Sequence, residues 1–141
     1  MARWLFKEEP EHYSFADLER DGETTWEGVL NPLALKHLRA VKPGDEVFYY
    51  HTGKEKAVVG VMRVSAAGEA DGLPVVTVKP VRRLANPVAL AAIKADPAFA
   101  GWELVRMARL SVMPVPDALW ARVEAMANGP PPAGRKKKAA G

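Results

Sequence analysis

The side chains that could carry acid–base or metal chemistry in this 141-residue chain are three histidines and an acidic segment near the N-terminus. His12, His37 and His51 do not share the short spacing of metal ligands on one element, and the chain has no cysteine. The acids of residues 8–11 alternate between opposite faces of an extended strand, so they do not indicate an acid–base pair. The serine nucleophile elbow, the phosphate-binding glycine loops and the zinc-protease motif do not occur. We therefore expect no catalytic residue, no metal and no cofactor.

Short strands and helices must position the remaining polar and aromatic residues. Alternating apolar and β-branched residues predict strands at 3–7, 24–26, 46–51, 57–64, 75–81 and 106–112. Capping signals predict helices that begin at Ser14, Asn31, Asn86 and Pro116, the first three ending near residues 20, 40 and 94. Leu30 is predicted to pack on Leu35 as a hydrophobic staple at the start of the second helix.

The order of these elements predicts the fold class. Strands concentrate in the middle of the chain, and Asp71 with Gly72 is a strong hairpin signal between two of them. Helices lie between and after the strands, which favours an α+β fold over a doubly wound one. We expect a mixed, mostly antiparallel, barrel-like sheet with short helices packed around it. One domain is expected over residues 1–128, followed by a Pro/Gly stem and a flexible basic tail over 129–141.

The charge distribution limits what the net charge of +3 can mean. Four of the 20 basic residues lie at 135–138, and the other 16 face 17 acids, so the rest of the chain carries −1. A broad phosphate-binding face is therefore not indicated, and the tail would either attract polyanions weakly or act only as a solubilising end. The chain has no apolar run long enough to span a membrane and no signal peptide, and the absence of cysteine fits a reducing compartment. These features favour a cytoplasmic protein.

Four motifs give the chain a specific resemblance. Residues 4–10 (WLFKEEP), 26–31 (WEGVLN), 47–52 (VFYYHT) and 109–115 (RLSVMPV) resemble, in order and spacing, the motifs of the EVE domain family. The resemblance covers about residues 2–127. It implies a PUA-like pseudo-barrel that binds DNA or RNA, with a modified nucleobase in an aromatic pocket and no catalytic activity.

The chain departs from the family pattern near the implied pocket. Glu8 stands where the family usually has serine, and Leu30, Pro32 and Leu35 stand where it usually has arginine, tyrosine and arginine. Two cationic positions are thus apolar here. A phosphate clamp formed by those arginines is not expected in this protein.

A base pocket needs an aromatic wall, a few directional polar groups and surroundings that exclude water. Trp26 is the predicted aromatic wall, although an ordinary core tryptophan is the alternative. Tyr49 and Tyr50 point to opposite faces of their strand, and Tyr50, next to His51 at the strand end, is the one predicted to line the pocket. Asn31 is predicted to cap a helix and also to contact the ligand. The complete predicted base-binding set is Lys7, Trp26, Asn31, Tyr50, His51, Arg109 and Ser111.

Two other functions remain open from the sequence. A ribonuclease related to the ASCH domains of similar fold would have only Lys7, Glu8 and His51 as acid–base groups. A protein-interaction module with a vestigial pocket is favoured by the loss of arginine at positions 30 and 35. The oligomeric state, the choice between DNA and RNA, and the identity of the base are not indicated by the sequence.

Overall fold

The computed structural model describes residues 1–129 of the chain. Within these residues, six strands and five α-helices follow one another, with a single 3₁₀ turn at Pro97–Phe99. In chain order they are β1 (Arg3–Glu8), α1 (Phe15–Asp21), β2 (Thr24–Trp26), α2 (Pro32–Ala40), β3 (Glu46–His51), β4 (Ala57–Ala70), β5 (Leu73–Ala89), α3 (Leu90–Lys94), α4 (Glu103–Arg106), β6 (Val112–Pro114) and α5 (Asp117–Asn128). The basic tail predicted at residues 135–138 lies outside the described residues.

All six strands form one sheet in the order β2-β5-β4-β3-β1-β6. Only β1 and β3 are parallel, and every other neighbouring pair is antiparallel. The carboxyl ends of β1 and β3 therefore lie side by side, with Lys7 opposite Tyr50 and Glu8 opposite His51. The predicted α+β class with a mostly antiparallel sheet is confirmed.

A different tryptophan packs on each face of the sheet. Phe6 on β1 lies opposite Tyr49 on β3, so both side chains point to the same face of the sheet. On this face Trp26 packs against both rings. On the opposite face, the indole of Trp120 from α5 stacks on Phe48 with ring centroids 3.7 Å apart. We call these the Trp26 face and the Trp120 face.

Local signals in the sequence place several elements as expected. Ser14 caps α1 in a reciprocal capping box with Asp17, and Asn31 caps α2 by accepting from the N–H groups of Leu33 and Ala34. Asp71 and Gly72 both have positive φ, which matches the tight turn that joins β4 to β5.

The helix predicted from Asn86 to about Lys94 ends at Lys94 as expected, but it begins only at Leu90. Asn86 and Pro87 belong to β5, and the pairing of β5 with β4 is interrupted between Arg83 and Val88. The residues between them bulge out of the ladder. Pro87, which has no N–H, therefore does not have to donate a hydrogen bond to β4. The side-chain amide of Asn86 instead donates to the carbonyls of Ala127 and Gly129 at 2.9 Å each, at the end of α5.

Two further predictions near the site are corrected. Residues 106–112 do not form a strand, because α4 ends at Arg106, a turn follows, and β6 begins only at Val112. The predicted staple between Leu30 and Leu35 is also absent, since Leu30 is 77% exposed. Helix α2 is held to the core through Ala34 and Leu38 instead.

Candidate nucleic-acid interface

Two pockets flank the carboxyl ends of β1 and β3, one on each face of the sheet. The Trp26 pocket lies on the Trp26 face and has a volume of about 450 Å³. The lysine pocket lies on the Trp120 face, has a volume of about 210 Å³, and contains Lys7, Lys56 and Lys94. Lys7 and Glu8 are consecutive on β1, so their side chains point to opposite faces and into different pockets.

The Trp26 pocket combines aromatic walls with groups that accept hydrogen bonds. It is lined by Glu8, His12, Tyr13, Thr24, Thr25, Trp26 and Glu27. The segment from β2 to Glu27 supplies one side of the pocket, and the end of β1 with the turn before α1 supplies the other. Its size is within the range of small-molecule sites in proteins.

Trp26 itself is largely buried, with 6% of its surface exposed. Its ring packs against Phe6 and Tyr49 at centroid distances of 5.3 and 5.4 Å, so Trp26 belongs to the core and also forms the inner wall of the pocket. Its indole N–H has no hydrogen-bond acceptor within residues 1–129, where no buried polar side-chain atom lacks a partner. An indole N–H is a donor only, so this group can donate to a ligand that reaches it.

Glu8 contributes a partly occupied carboxylate to the same pocket. Its Oε2 accepts from the N–H of Glu9 and is 3.0 Å from Nδ1 of His12. The side chain of Glu8 is 26% exposed, whereas that of His12 is 78% exposed. A carboxylate has more acceptor positions than these two contacts use, so Glu8 can accept a further hydrogen bond from a ligand.

His51 is close to this site but has no free ring nitrogen. Its Nε2 accepts from the backbone N–H of Phe15 at 3.0 Å, and its Nδ1 lies 2.7 Å from Oε1 of Glu55. The two contacts together place the proton of a neutral ring on Nδ1. His51 is 7% exposed, and its contacts show a structural role in joining α1 to the end of β3.

Lys7 and Tyr50 face the lysine pocket. The ammonium of Lys7 donates to the carbonyl of Ala108 at 3.0 Å and lies over the Tyr50 ring, 5.6 Å from its centroid. Burial lowers the pKa of Lys7 and raises the pKa of Tyr50 to about 12. Tyr50 is therefore a neutral hydroxyl at physiological pH, and Lys7 is a partly desolvated cation.

Asn31 and Arg109 lie in another depression, between the start of α2 and the turn before β6. Arg106 also lines it, and Ala108 belongs both to this depression and to the lysine pocket. Asn31 Oδ1 is occupied by the helix cap, as expected. Ser111 contacts β1 through its backbone, where its carbonyl accepts from the N–H of Lys7 at 2.9 Å.

The structure therefore does not bring the seven predicted site residues into one pocket. Trp26 packs against Tyr49, which is fully buried and lines neither pocket, whereas Tyr50 lines the lysine pocket and not the Trp26 pocket. Thr25 and Glu27 line the Trp26 pocket, and Lys56 and Lys94 line the lysine pocket, although none of the four is among the seven predicted residues. Glu27 is next to Trp26 in the second motif, and this position could have indicated that it lines the same pocket. No local pattern connects Lys56 and Lys94 to Lys7.

Two further findings concern residues 1–129 only. No group of three or more His, Cys, Asp or Glu side chains in this part of the chain is arranged to hold a metal ion. None of the helices there has the length and apolar character needed to cross a membrane.

The fold and these pockets define a small α+β domain with ligand-sized concavities at one end of its sheet. The chain belongs to the EVE domain family, whose model matches residues 2–126. This confirms the family indicated by the four sequence motifs. Human thymocyte nuclear protein 1 is 37% identical to the chain over 75 residues, which are 45% of this chain and 33% of the human protein. The match thus spans about a third of the length of that relative.

Solved structures extend the similarity over the whole domain. A protein of Rhodopseudomonas palustris, solved by NMR, is 36% identical with a TM-score of 0.85, covering 90% of this chain and 93% of its own. The human THYN1 protein, crystallised in complex with 5-methylcytosine-containing DNA, is 25% identical with a TM-score of 0.86, covering 93% and 100%. An ASCH protein of Zymomonas mobilis has a TM-score of 0.56 at 12% identity over 89% and 95%, a likeness of fold alone.

Proposed function

We propose that this protein binds nucleic acid without cleaving it, and that the Trp26 pocket accommodates one nucleobase. The proposal is carried by the similarity of fold to the human THYN1 protein, which covers 93% of this chain. That protein was crystallised in complex with 5-methylcytosine-containing DNA. The Trp26 pocket supports it, because it offers an indole N–H, two threonine hydroxyls and aromatic walls within one concavity.

The chemistry of the pocket favours a base with an exocyclic amino group. Glu8 and Glu27 are hydrogen-bond acceptors, and carboxylates pair with the amino group at N4 of cytosine. The indole N–H of Trp26 can donate to a ring nitrogen or carbonyl of the same base. Cytosine and adenine carry such an amino group, whereas uracil and thymine present a carbonyl that a carboxylate would repel. A methylated or otherwise modified form of such a base, in DNA or RNA, is the proposed ligand.

A competition between bases tests this proposal. Labelled single-stranded oligonucleotides would carry one central cytosine, 5-methylcytosine, adenine, uracil or abasic site and be titrated against the wild-type protein. We expect the amino-bearing bases to bind about tenfold more tightly than uracil, since a hydrogen bond to a charged group contributes about 1.5–3 kcal/mol. Glu8→Gln is expected to reduce this preference, because an amide can present its own donors to the ligand.

Matched variants make the result specific. Glu11→Gln removes one exposed carboxylate of the same segment outside the pocket, so it is expected to keep the base preference. Trp26→Phe retains an aromatic ring in the core but removes the indole N–H. Affinity that is the same for every oligonucleotide, and the same in Glu8→Gln as in the wild type, would contradict the base pocket. If the wild type binds no oligonucleotide and light scattering shows a dimer, the interaction-module alternative replaces this proposal.

The absence of catalysis is part of the proposal and has its own test. Both ring nitrogens of His51 are occupied by protein groups, which leaves this residue without a free site for proton transfer. RNA incubated with the pure protein and EDTA is expected to remain intact. Cleavage that co-purifies with the protein would support the ribonuclease alternative. We also propose a bacterial cytoplasmic location, supported by the similar protein of R. palustris and by a chain without cysteine.

A further inference from the structure

The lysine pocket holds three cations that come from three separate parts of the chain. Lys7 lies near the end of β1, Lys56 precedes β4, and Lys94 ends α3. No carboxylate lines the pocket, and none of these three lysines forms an ion pair within residues 1–129. Like charges repel, so an anion in a concavity that three lysines line would reduce the repulsion between them.

The surroundings of Lys7 also favour a bound anion. Its ammonium is partly desolvated, and within residues 1–129 its polar partners are the Ala108 carbonyl and the face of the Tyr50 ring. Neither partner carries a full negative charge. Because no carboxylate is among the lining residues, a bound anion would supply a counter-charge directly beside Lys7.

The rest of the lining indicates what kind of anion fits. Tyr50 offers a neutral phenolic hydroxyl, while Leu90 and Leu104 form an apolar wall beside the lysines. A ligand with a compact, doubly charged head and an apolar or aromatic body would use both parts. A phosphate monoester has this character, because its phosphate carries a charge of about −1.5 to −2 at neutral pH.

We propose that the lysine pocket is a binding site for a phosphate monoester, with Lys7, Lys56 and Lys94 around the phosphate and the organic part against Leu90 and Leu104. This site is separate from the Trp26 pocket and does not depend on the proposed binding of a nucleobase. Its ligand is either a free phosphorylated metabolite or the terminal phosphate of a nucleic acid, since both present the same group.

Glu9 provides an internal test of the electrostatics. Its carboxylate accepts from the hydroxyl of Thr52 at 3.3 Å, at the edge of the lysine pocket, without lining it. Removing this negative charge should tighten phosphate binding, whereas removing a lysine should weaken it. Opposite effects from two neutralising substitutions at one site distinguish local charge from general loss of structure.

Titration with phenyl phosphate, followed by NMR of the full-length protein, tests the proposal. We expect shifts at the backbone amides of Thr52 and Gly53, about fivefold weaker binding in Lys56→Gln and in Lys94→Gln, and tighter binding in Glu9→Gln. Lys36→Gln, an exposed lysine on α2 outside the pocket, should leave the affinity unchanged. Equal weakening by Lys36→Gln, or shifts confined to other regions, would overturn the proposal.

Two further ligands identify the source of the phosphate. A 5′-phosphorylated trinucleotide that binds at least tenfold more tightly than phenyl phosphate would support the site and identify nucleic-acid ends as its ligand. Equal affinities would support the site for free monoesters. The variant Glu8→Gln, which lies in the Trp26 pocket, should not alter phenyl phosphate binding, so failure of the base proposal and failure of this one are distinguishable.

Discussion

The backbone N–H of Phe15 donates to Nε2 of His51 at 3.0 Å, and this bond joins the start of α1 to the end of β3 across 36 residues of sequence. It is a buried contact, and it forms only when Nε2 carries no proton. His51 therefore fixes the position of α1 beside the Trp26 pocket and does not serve as a free acid or base.

Replacement of His51 is expected to destabilise the fold. His51→Ala leaves the buried N–H of Phe15 without an acceptor and removes a ring that packs edge-on against Tyr49. We expect a loss of about 2–3 kcal/mol in the free energy of unfolding, measured by urea denaturation. His12→Ala removes a histidine that is 78% exposed, and it should change stability by less than about 0.5 kcal/mol. Equal stability of the two variants would contradict the structural role of His51.

Gly60 permits the close packing of Phe15 against β4. A Cβ atom at position 60 would lie 2.5 Å from two ring carbons of Phe15, which is fully buried. Gly60→Ala should therefore lower the free energy of unfolding by about 1–3 kcal/mol, read from the shift of the denaturation midpoint. The control is Gly68→Ala on the same strand, where the added Cβ meets no atom within 4 Å. A midpoint shift no larger than in this control would show that Phe15 does not pack on Gly60 in solution.

Asp45 holds the N-terminal strand to the turn before β3. Its carboxylate accepts three hydrogen bonds, from the N–H of Ala2 at 3.0 Å and from the indole of Trp4 and the N–H of Lys42 at 2.9 Å each. Asp45→Ala leaves all three donors without this acceptor, and we expect a loss of about 2–4 kcal/mol by thermal or chemical denaturation. By contrast, Asp117→Ala removes a carboxylate that is 83% exposed and should cost less than about 1 kcal/mol.

The buried tyrosines predict how stability changes in alkali. Burial raises the pKa of Tyr50 to about 12 and raises that of Tyr49 as well, while a phenol in the unfolded chain ionises near pH 10. Between about pH 10 and 12 the unfolded state thus releases protons that the folded state retains. The stabilising contribution of these groups is complete below about pH 10 and falls as the pH rises.

Tyr50→Phe removes one of these titrating groups. In urea unfolding curves recorded from pH 8 to 12, we expect the variant to lose stability less steeply than the wild type above about pH 10, by up to about 1.4 kcal/mol per pH unit. The two proteins should keep a constant difference below that pH. Identical slopes in alkali would mean that Tyr50 is accessible to solvent in the folded protein.

Much of the local structure was predictable from short stretches of sequence. Ser14 and Asn31 are capping residues next to helical segments, and Asp71 with Gly72 adopts the positive φ angles that its residue types favour. Asn86 has the same capping signal but does not cap a helix, because its partners at the end of α5 lie more than 40 residues away. A local pattern is reliable only where the groups that satisfy it are also local.

The sequence by itself determined the family, the mostly antiparallel α+β fold and the fact that Tyr49 and Tyr50 lie on opposite faces. Only the tertiary structure decided which of them meets Trp26, because alternation gives the relative and not the absolute face of a strand. It also decided that Lys7, Lys56 and Lys94 converge on one pocket while Glu8 faces another. The physical reason is that each face acquires its chemistry from elements distant in sequence, and their packing depends on the whole core.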